Sequence, residues 1–195
     1  MAGILVDIIE KAVSVLSHDG LVVYPTDTVY GLGADALSDE AILKVYAAKQ
    51  RPMGMPISIA VADFEMLGAV CRPEPWMQAF MEKFLPGPVT VVLPARNCIP
   101  EILTGGTGLI GVRIPAHDLA RQIIGRFDAP ITATSANLHG ARDPRTRDEV
   151  TVPYELFVDG GSLPGTPSTV VDLPSRKILR AGVGIEAIGR FLAAL

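Results

Sequence analysis

The sequence predicts a single-domain α/β fold in which helices flank one mixed sheet. Patterns of amphipathic helix and of short apolar strand alternate along all 195 residues, which is typical of α/β proteins. No shift of composition divides the chain, so residues 1–195 are predicted to form one domain. Some connections between strands are too short for the crossover that parallel strands require, which indicates that the sheet mixes parallel and antiparallel pairs.

The elements follow from hydrophobic period and turn residues. Residues 4–18 place apolar side chains at helical spacing, with Ile4, Leu5 and Leu16 among them, and so predict an amphipathic helix. Leu21 to Tyr24 reads as a buried strand that Pro25 ends. The same criteria predict further helices over 63–70, 75–84, 117–126 and 184–193. They predict further strands over 56–61, 89–93, 109–113, 130–133, 168–173 and 177–180.

A second helix is predicted to begin at Ser38. A serine is a favoured N-cap, and acidic residues follow it in the first turn, where the helix dipole favours them. Ile42, Leu43 and Tyr46 are predicted to form the buried face of this helix.

Composition and charge exclude several classes of protein. Apolar residues make up 49% of the chain and charged residues 19%, which excludes a disordered protein. Glycine and proline number 19 and 16 without any period, so many turns are expected and a collagen-like chain is excluded. A net charge of −4 argues against a protein that coats nucleic acid by bulk charge.

We expect a cytoplasmic protein with no membrane association. Asp7 and Glu10 interrupt the N-terminal apolar stretch, and no run approaches the roughly 18 apolar residues of a membrane span. Cys71 and Cys98 share no Cys-x-x-Cys spacing, which favours two buried thiols. The three histidines show no metal-ligand spacing, so no protein-held metal is expected.

Polar residues follow four of the apolar strands where each strand ends. They are Thr26-Asp27-Thr28, Arg113, the segment 134–137, and Arg180. Ligands of open α/β sheets bind at the carboxyl ends of strands, although any single case is also consistent with an ordinary turn. Four cases together favour a ligand site.

Lys49 and Arg51 are candidates for binding one anion. On a continuing helix they would point about 200° apart, but Pro52 favours an extended Arg51, and alternate residues of an extended chain point the same way. The alternative is that both are solvated residues favoured by the helix C-terminus.

Three further features are candidates for ligand binding, and each also has a purely structural interpretation. Ser135 and Asn137 are suited to hold a phosphate oxygen, a ribose hydroxyl or a carboxylate, or they form an ordinary turn. Arg113 lies in an apolar strand and needs an anionic partner, which is either an acidic side chain or a ligand. The arginine-rich loop 141–149 is either a flap for phosphates or RNA, or a solvated loop. No Walker or Gly-x-Gly-x-x-Gly loop occurs, so a nucleotide would bind outside those schemes.

Seven motifs, taken in chain order, resemble the YrdC-like family over about residues 20–184. They are the segment Tyr24 to Ala36, Lys-x-Arg-Pro from Lys49, Leu85-Pro86-Gly87-Pro88, Gly111-Val112-Arg113-Ile114-Pro115, Ser-x-Asn from Ser135, Ser168 to Asp172, and Ile178-Leu179-Arg180.

The resemblance implies a twisted mixed sheet with a concave basic cleft. It implies an enzyme that joins L-threonine, bicarbonate and ATP into threonylcarbamoyl-adenylate and releases pyrophosphate. The residues implied for threonine are Thr28, Arg113, Ser135 and Ser168. Those implied for ATP are Lys49, Arg51, Asn137 and Arg180, of which Lys49 and Arg51 are the catalytic pair.

The resemblance also implies partners and a cofactor. Mg²⁺ would accompany ATP, and a separate transferase would place the threonylcarbamoyl group on adenosine 37 of tRNA. Direct binding of tRNA or double-stranded RNA is a further implied contact.

Some positions depart from the family pattern. Met55 and Ala60 replace the Asn and His of certain members, Ala181 replaces a frequent proline, and Arg145 lies where some relatives have a threonine near ATP. The chain is expected to lack the C-terminal domain of longer relatives.

Two alternatives to the synthase stay open. One is a non-catalytic RNA-binding paralogue that uses the same cleft. The other is a synthase that uses carbamoyl phosphate, which would need flanking segments that this sequence is expected to lack.

Overall fold

A computed structural model describes residues 2–194, with side chains from residue 5 onward. The predicted burial of Ile4 and the two ends of the predicted domain, Met1 and Leu195, lie outside the described residues. The helices are α1 Ala2–Leu16, α2 Asp39–Lys49, α3 Phe64–Val70, α4 Pro75–Phe84, α5 Glu101–Thr104, α6 Asp118–Phe127 and α7 Ile185–Ala193, with a 3-10 turn at Arg147–Glu149. The strands are β1 Val22–Tyr24, β2 Gly31–Gly33, β3 Ile59–Ala60, β4 Val89–Pro94, β5 Leu109–Arg113, β6 Ile131–Thr132, β7 Thr134–Ser135, β8 Leu156–Phe157, β9 Thr169–Asp172 and β10 Lys177–Arg180.

The strands form two sheets rather than one. One sheet has the order β7-β2-β1-β8 and the other the order β10-β9-β4-β5-β3-β6. Pairs β1–β8, β3–β5 and β4–β9 are parallel and the rest are antiparallel, which confirms the predicted mixture. At the junction, Thr132 Oγ1 accepts a hydrogen bond from the Ala34 amide and Asp35 makes an isolated bridge with Ile131. These contacts do not continue as a ladder, so the two sheets stay separate.

Close packing against a tyrosine explains why β2 contains two glycines. A Cβ atom on Gly31 would lie 2.9 Å from the Tyr24 ring, and one on Gly33 would lie 3.0 Å from it. Strand β2 pairs antiparallel with β1, which holds Tyr24, so the glycines give the ring its space.

Helix α2 begins and ends by local capping. Ser38 Oγ accepts a hydrogen bond from the Ala41 amide at 3.3 Å, as the sequence predicts for an N-cap. Gln50 ends the helix in the left-handed conformation at φ 50°. The predicted burial of Leu43 is wrong, because the buried stripe runs through Ile42, Val45 and Tyr46 and leaves Leu43 47% exposed.

The core consists of two clusters on either side of the sheets. The larger includes α2, β4 and β5 together with Phe80 of α4, and the smaller holds α1, α6 and Tyr24 together. In α1, Leu16 is buried, but Leu5 is 40% exposed, contrary to the predicted stripe, because it lies in the first turns of the helix. Cys71 is buried as predicted, whereas Cys98 lies exposed in the turn that follows β4. Within residues 2–194 no helix has the length and apolar character needed to cross a membrane.

Candidate functional site

A cleft of about 310 Å³ lies between the two sheets and brings together all eight residues singled out from the sequence. These residues lie on the loop after β1, at the ends of α2, β5 and β10, on strand β7 and the segment after it, and at the start of β9. The eight residues are Thr28, Lys49, Arg51, Arg113, Ser135, Asn137, Ser168 and Arg180.

Arg113 forms one wall of the cleft and its anionic partner within the protein is Asp27. Arg113 Nη2 donates to Asp27 Oδ1 at 2.6 Å, Nη1 donates to Thr28 Oγ1 at 2.8 Å, and Nε donates to the Gly87 carbonyl at 3.2 Å. Burial, with 7% of the residue exposed, lowers the pKa of Arg113, and Asp27 opposes that shift. Three of the five guanidinium N–H groups are therefore engaged, which leaves two that a ligand can use.

The Thr28 hydroxyl belongs to the same hydrogen-bond network. Thr26 Oγ1 donates to the Val29 carbonyl at 2.7 Å, accepts from the Thr28 and Val29 amides at 3.1 and 3.2 Å, and lies 2.9 Å from Thr28 Oγ1. Thr28 Oγ1 accepts from Arg113 Nη1, and the residue is fully buried. The Thr28 hydroxyl therefore helps to orient the Arg113 guanidinium at the cleft.

Lys49 is buried at the end of α2, only 2% exposed, so it is not a solvated residue. Its ammonium group donates to the carbonyls of Ser135 at 2.5 Å and Asn137 at 2.6 Å, with Asn137 Oδ1 at 3.5 Å. No carboxylate among the described residues forms an ion pair with it. Burial first, and then the nearby Arg51 charge, lowers the pKa of Lys49 to about 8.

Arg51 lies just past the end of α2, as the sequence predicts from Pro52, with Gln50 as the left-handed C-cap between it and the helix. Its Nη2 donates to the Pro56 carbonyl at 2.9 Å, and its Nη1 lies 3.2 Å from His139 Nδ1. Burial lowers the pKa of Arg51. Lys49 and Arg51 therefore line one cleft, with the Arg51 guanidinium the more accessible of the two charges.

The side-chain amide of Asn137 makes a hydrogen bond within the loop that follows β7. Asn137 Nδ2 donates to the Ala141 carbonyl at 2.6 Å, and the residue is 3% exposed. Ser135 lies in β7, where it pairs with Gly31, and its side chain is half-buried at the cleft.

Arg180 and Ser168 form the opposite wall. Arg180 Nη2 donates to the Ser168 carbonyl at 2.9 Å and to Ser168 Oγ at 3.0 Å, and Ser168 Oγ lies 2.9 Å from Thr90 Oγ1. Arg180 itself is exposed, so part of its guanidinium faces solvent and the cleft.

The loop 141–149 lies beside the cleft and is held by backbone contacts. The Pro144 carbonyl accepts a hydrogen bond from the Tyr30 amide at 2.9 Å, and Arg145 Nε donates to the Leu163 carbonyl at 3.1 Å. Arg147 packs over the Phe157 ring at 5.3 Å. Ala141 and Asp143 of this loop line the cleft, whereas its arginines do not.

Several lining residues were missed by sequence reasoning. They are polar or aromatic side chains whose positions depend on distant strands: Tyr24, Ser58, Thr90, His139 and Asp143. Asp27, which lies behind the cleft and pairs with Arg113, was noticed only as part of a polar turn. The signal for Asp27 was the buried arginine, which requires an acidic partner somewhere in the fold.

The charge of the lining is asymmetric. Four of the lining residues described by the structure are cationic, Lys49, Arg51, Arg113 and Arg180, whereas the acidic lining residue is Asp143. No group of three or more potential metal ligands occurs in the described part of the chain. The fold and the cleft define an α/β protein whose site suits a small anionic ligand.

The chain belongs to the Sua5/YciO/YrdC family, described as "Telomere recombination", which matches residues 14–182. A threonylcarbamoyl-AMP synthase from Pyrococcus abyssi is 36% identical over 196 residues, covering 96% of this chain and 58% of that protein. One from Shigella boydii is 33% identical and covers 90% of this chain and 96% of that protein. The chain spans only about half the length of the relatives from Pyrococcus abyssi and Bacillus subtilis, at 58% and 53%.

Solved structures agree with this assignment. The crystal structure of P. abyssi Sua5 complexed with L-threonine superposes with a TM-score of 0.86 at 36% identity, over 92% of this chain and 56% of that one. The crystal structure of E. coli YciO superposes with a TM-score of 0.83 at 26% identity, over 91% of this chain and 90% of that one. The predicted family and the predicted α/β class are both confirmed.

Proposed function

We propose that this protein is an L-threonylcarbamoyl-AMP synthase. It joins L-threonine, bicarbonate and ATP into threonylcarbamoyl-adenylate and releases pyrophosphate, for the modification of tRNA position 37. The observation that carries the proposal is that all eight residues implied by the family resemblance line one cleft. Relatives named threonylcarbamoyl-AMP synthase, and one solved with L-threonine, support the same reaction.

The threonine subsite is formed by Arg113 together with Thr28, Ser135 and Ser168. The two remaining N–H groups of Arg113 suit the amino-acid carboxylate, because guanidinium binds carboxylates in a planar, charge-assisted geometry. The hydroxyl groups then orient the amine and the side-chain hydroxyl of threonine.

The ATP subsite is formed by Arg51, Arg180, Asn137 and Lys49. Arg51 and Arg180 are only partly engaged by protein carbonyls, so each keeps N–H donors for phosphate oxygens. Asn137 shapes the loop that borders the nucleotide, and Lys49 contributes positive charge.

Charge compensation is the central task of such a site. The threonine amine attacks the carbon of bicarbonate and water leaves, which produces a carbamate. A carbamate oxygen then attacks the α-phosphorus of ATP, the bond to the β-phosphate oxygen breaks, and pyrophosphate leaves with the electron pair. Both reactants are anions, so cations that hold them together lower the barrier by positioning and by electrostatic stabilisation.

Mg²⁺ fits this site as an ion that arrives with the triphosphate. Magnesium sites formed with substrate phosphates use one or two carboxylates, and the cleft offers Asp143. Asp143 is therefore the residue that would contact the ion, which offsets phosphate charge when bound.

The direct test is pyrophosphate release from ATP by the purified chain in bicarbonate buffer with Mg²⁺. We expect release that requires both L-threonine and bicarbonate, with serine as a poor substitute. Arg51→Ala should lose most of this activity, whereas Arg72→Ala, an exposed arginine outside the cleft, should keep it.

Failure of this test has a defined meaning. If folded protein shows no threonine-dependent release but binds tRNA or double-stranded RNA with a steep salt dependence, the RNA-binding alternative replaces the synthase. If release occurs, the adenylate is the substrate of a separate tRNA-modifying transferase, as the family resemblance implies.

A further inference from the structure

Lys49 is the one cation of the cleft whose donors are already committed within the described protein. An ammonium group has three N–H donors and no acceptor. Two of its donors make short bonds to the Ser135 and Asn137 carbonyls, and the third faces Asn137 Oδ1 at 3.5 Å. A phosphate could take a direct hydrogen bond from Lys49 only by displacing one of these contacts.

The contacts of Lys49 tie the end of α2 to the Ser135–His139 segment at several points. Besides the ammonium bonds, the Lys49 carbonyl accepts a hydrogen bond from the His139 amide at 2.9 Å. Arg51 Nη1 lies 3.2 Å from His139 Nδ1, which adds a side-chain contact to the same segment. The segment lacks regular secondary structure after β7, so its path depends on such hydrogen bonds. Others are made by the Ala136 amide to the Tyr30 carbonyl and by the Leu138 amide to Thr151 Oγ1.

Ser135 is the residue of this segment that the family resemblance assigns to threonine, and it lines the cleft. Its carbonyl is held by Lys49, and its backbone pairs with Gly31. No group among the described residues makes a hydrogen bond to its hydroxyl, which lines the cleft. Holding the carbonyl fixes the Cα–Cβ direction and so restricts the hydroxyl to the staggered positions about that bond.

We propose that Lys49 is a positioning residue for the threonine subsite, where its ammonium clamps the carbonyls of Ser135 and Asn137 and thereby aims the Ser135 hydroxyl into the cleft. This inference rests on the proposed function, since it names how one residue of that site acts. The role proposed for Lys49 therefore differs from that of Arg51 and Arg180, which keep N–H donors for phosphate oxygens.

Threonine binding in the absence of ATP distinguishes the clamp from a phosphate contact. A lysine that only binds phosphate has no effect on threonine when no nucleotide is present. A clamp loosens the threonine subsite when it is removed, because two buried carbonyls lose their donor and the segment moves. Lys49→Met keeps an unbranched apolar stem, with sulfur in place of Cδ, and removes the ammonium.

The experiment is a double-mutant cycle on the dissociation constant of L-threonine, measured by calorimetry without nucleotide. We expect Lys49→Met to weaken threonine binding by about 10-fold or more in the wild-type background. In the Ser135→Ala background the same change should have an effect within about twofold, because its route to the ligand is absent. Lys44→Met, at a partly exposed lysine of the same helix outside the cleft, is the matched control and should leave threonine binding unchanged.

Each outcome has a distinct consequence. Threonine binding within about twofold of wild type in Lys49→Met overturns the clamp, as do additive losses in the cycle. Absence of threonine binding by the wild-type protein overturns the proposed function itself and the clamp with it. If Lys49→Met proves unfolded by circular dichroism, Lys49→Gln, which keeps a neutral donor, carries the same cycle.

Discussion

Arg113 can be buried beside the cleft because Asp27 compensates its charge. The two side chains are 9% and 15% exposed and their charged atoms are 2.6 Å apart. Removing one partner of such a pair leaves a buried charge without compensation, which costs more than the pair itself contributes. The arrangement fixes the guanidinium before any ligand arrives.

Replacing Asp27 by Asn should lower the free energy of unfolding by about 3 kcal/mol, because Arg113 keeps its charge and loses its counterion. Chemical denaturation at pH 7 measures this difference. The matched control is Asp118→Asn, which breaks the exposed pair with Arg121 and should cost about 0.5 kcal/mol or less. Equal losses in the two variants would contradict the role given to Asp27.

The pKa of Lys49 predicts a pH dependence with opposite signs for stability and for binding. Burial lowers the pKa of Lys49 to about 8 from 10.5, so the unfolded chain holds this proton over a pH range where the folded chain has lost it. Stability contributed by this group therefore rises as pH increases through that range. Measured against Lys49→Met, the free energy of unfolding of the wild type should increase between pH 8 and 10.5.

The affinity for threonine should fall as the pH increases through the same range. Above pH 8 the neutral amine loses one donor and its charge, so the clamp weakens and binding weakens with it. Arg51 and Asp143 act on the same group, the first lowering and the second raising its pKa. The range from about pH 7 to about pH 9.5 brackets the pKa of Lys49. A threonine dissociation constant that stays constant over this range would contradict the expectation.

At the level of secondary structure, β2 depends on the fit between glycine and an aromatic ring. Gly31 leaves room for Tyr24, which is buried against it, and both residues line the cleft. Helical glycines elsewhere have no such neighbour: a Cβ on Gly68 in α3 would meet nothing within 4 Å. The two glycines therefore differ in what a methyl group would do.

Gly31→Ala should destabilise the protein by about 2 kcal/mol, because the added methyl group overpacks the Tyr24 ring. The same change at Gly68 should stabilise it by about 0.5 to 1 kcal/mol through the higher helix propensity of alanine. Thermal denaturation of both variants tests the pair. A stabilised Gly31→Ala, or a Gly68→Ala less stable than wild type, would contradict the packing described.

The elements that the sequence predicts best are those determined by local pattern. Helix α4 and strand β10 have the predicted bounds, because a proline start and a short apolar strand are local signals. Strands β2, β7 and β8 were not predicted. Each has two or three residues and is a strand only because a distant segment pairs with it, as Gly31 does with Ser135.

At the scale of the whole molecule, the site is formed where residues of the two sheets meet. The polar residues at strand ends could be predicted to meet, because ligand sites of α/β proteins form there. Their hydrogen bonds could not be predicted, since the partners of Lys49 lie 86 and 88 residues away along the chain. The same holds for Arg113, whose partner Asp27 is 86 residues away. The proposed reaction follows from the family resemblance, because composition and motif spacing alone do not specify it.

The most direct test of the proposed synthase is detection of its product. Purified protein is incubated with L-threonine, ATP, Mg²⁺ and ¹³C-bicarbonate, and the mixture is analysed by mass spectrometry. We predict a threonylcarbamoyl-adenylate that carries one ¹³C atom, formed by wild type and strongly reduced in Arg113→Ala. Folded wild-type protein that forms no labelled adenylate, or that releases pyrophosphate without incorporating the label, would contradict the assignment of this cleft to threonylcarbamoyl-AMP synthesis.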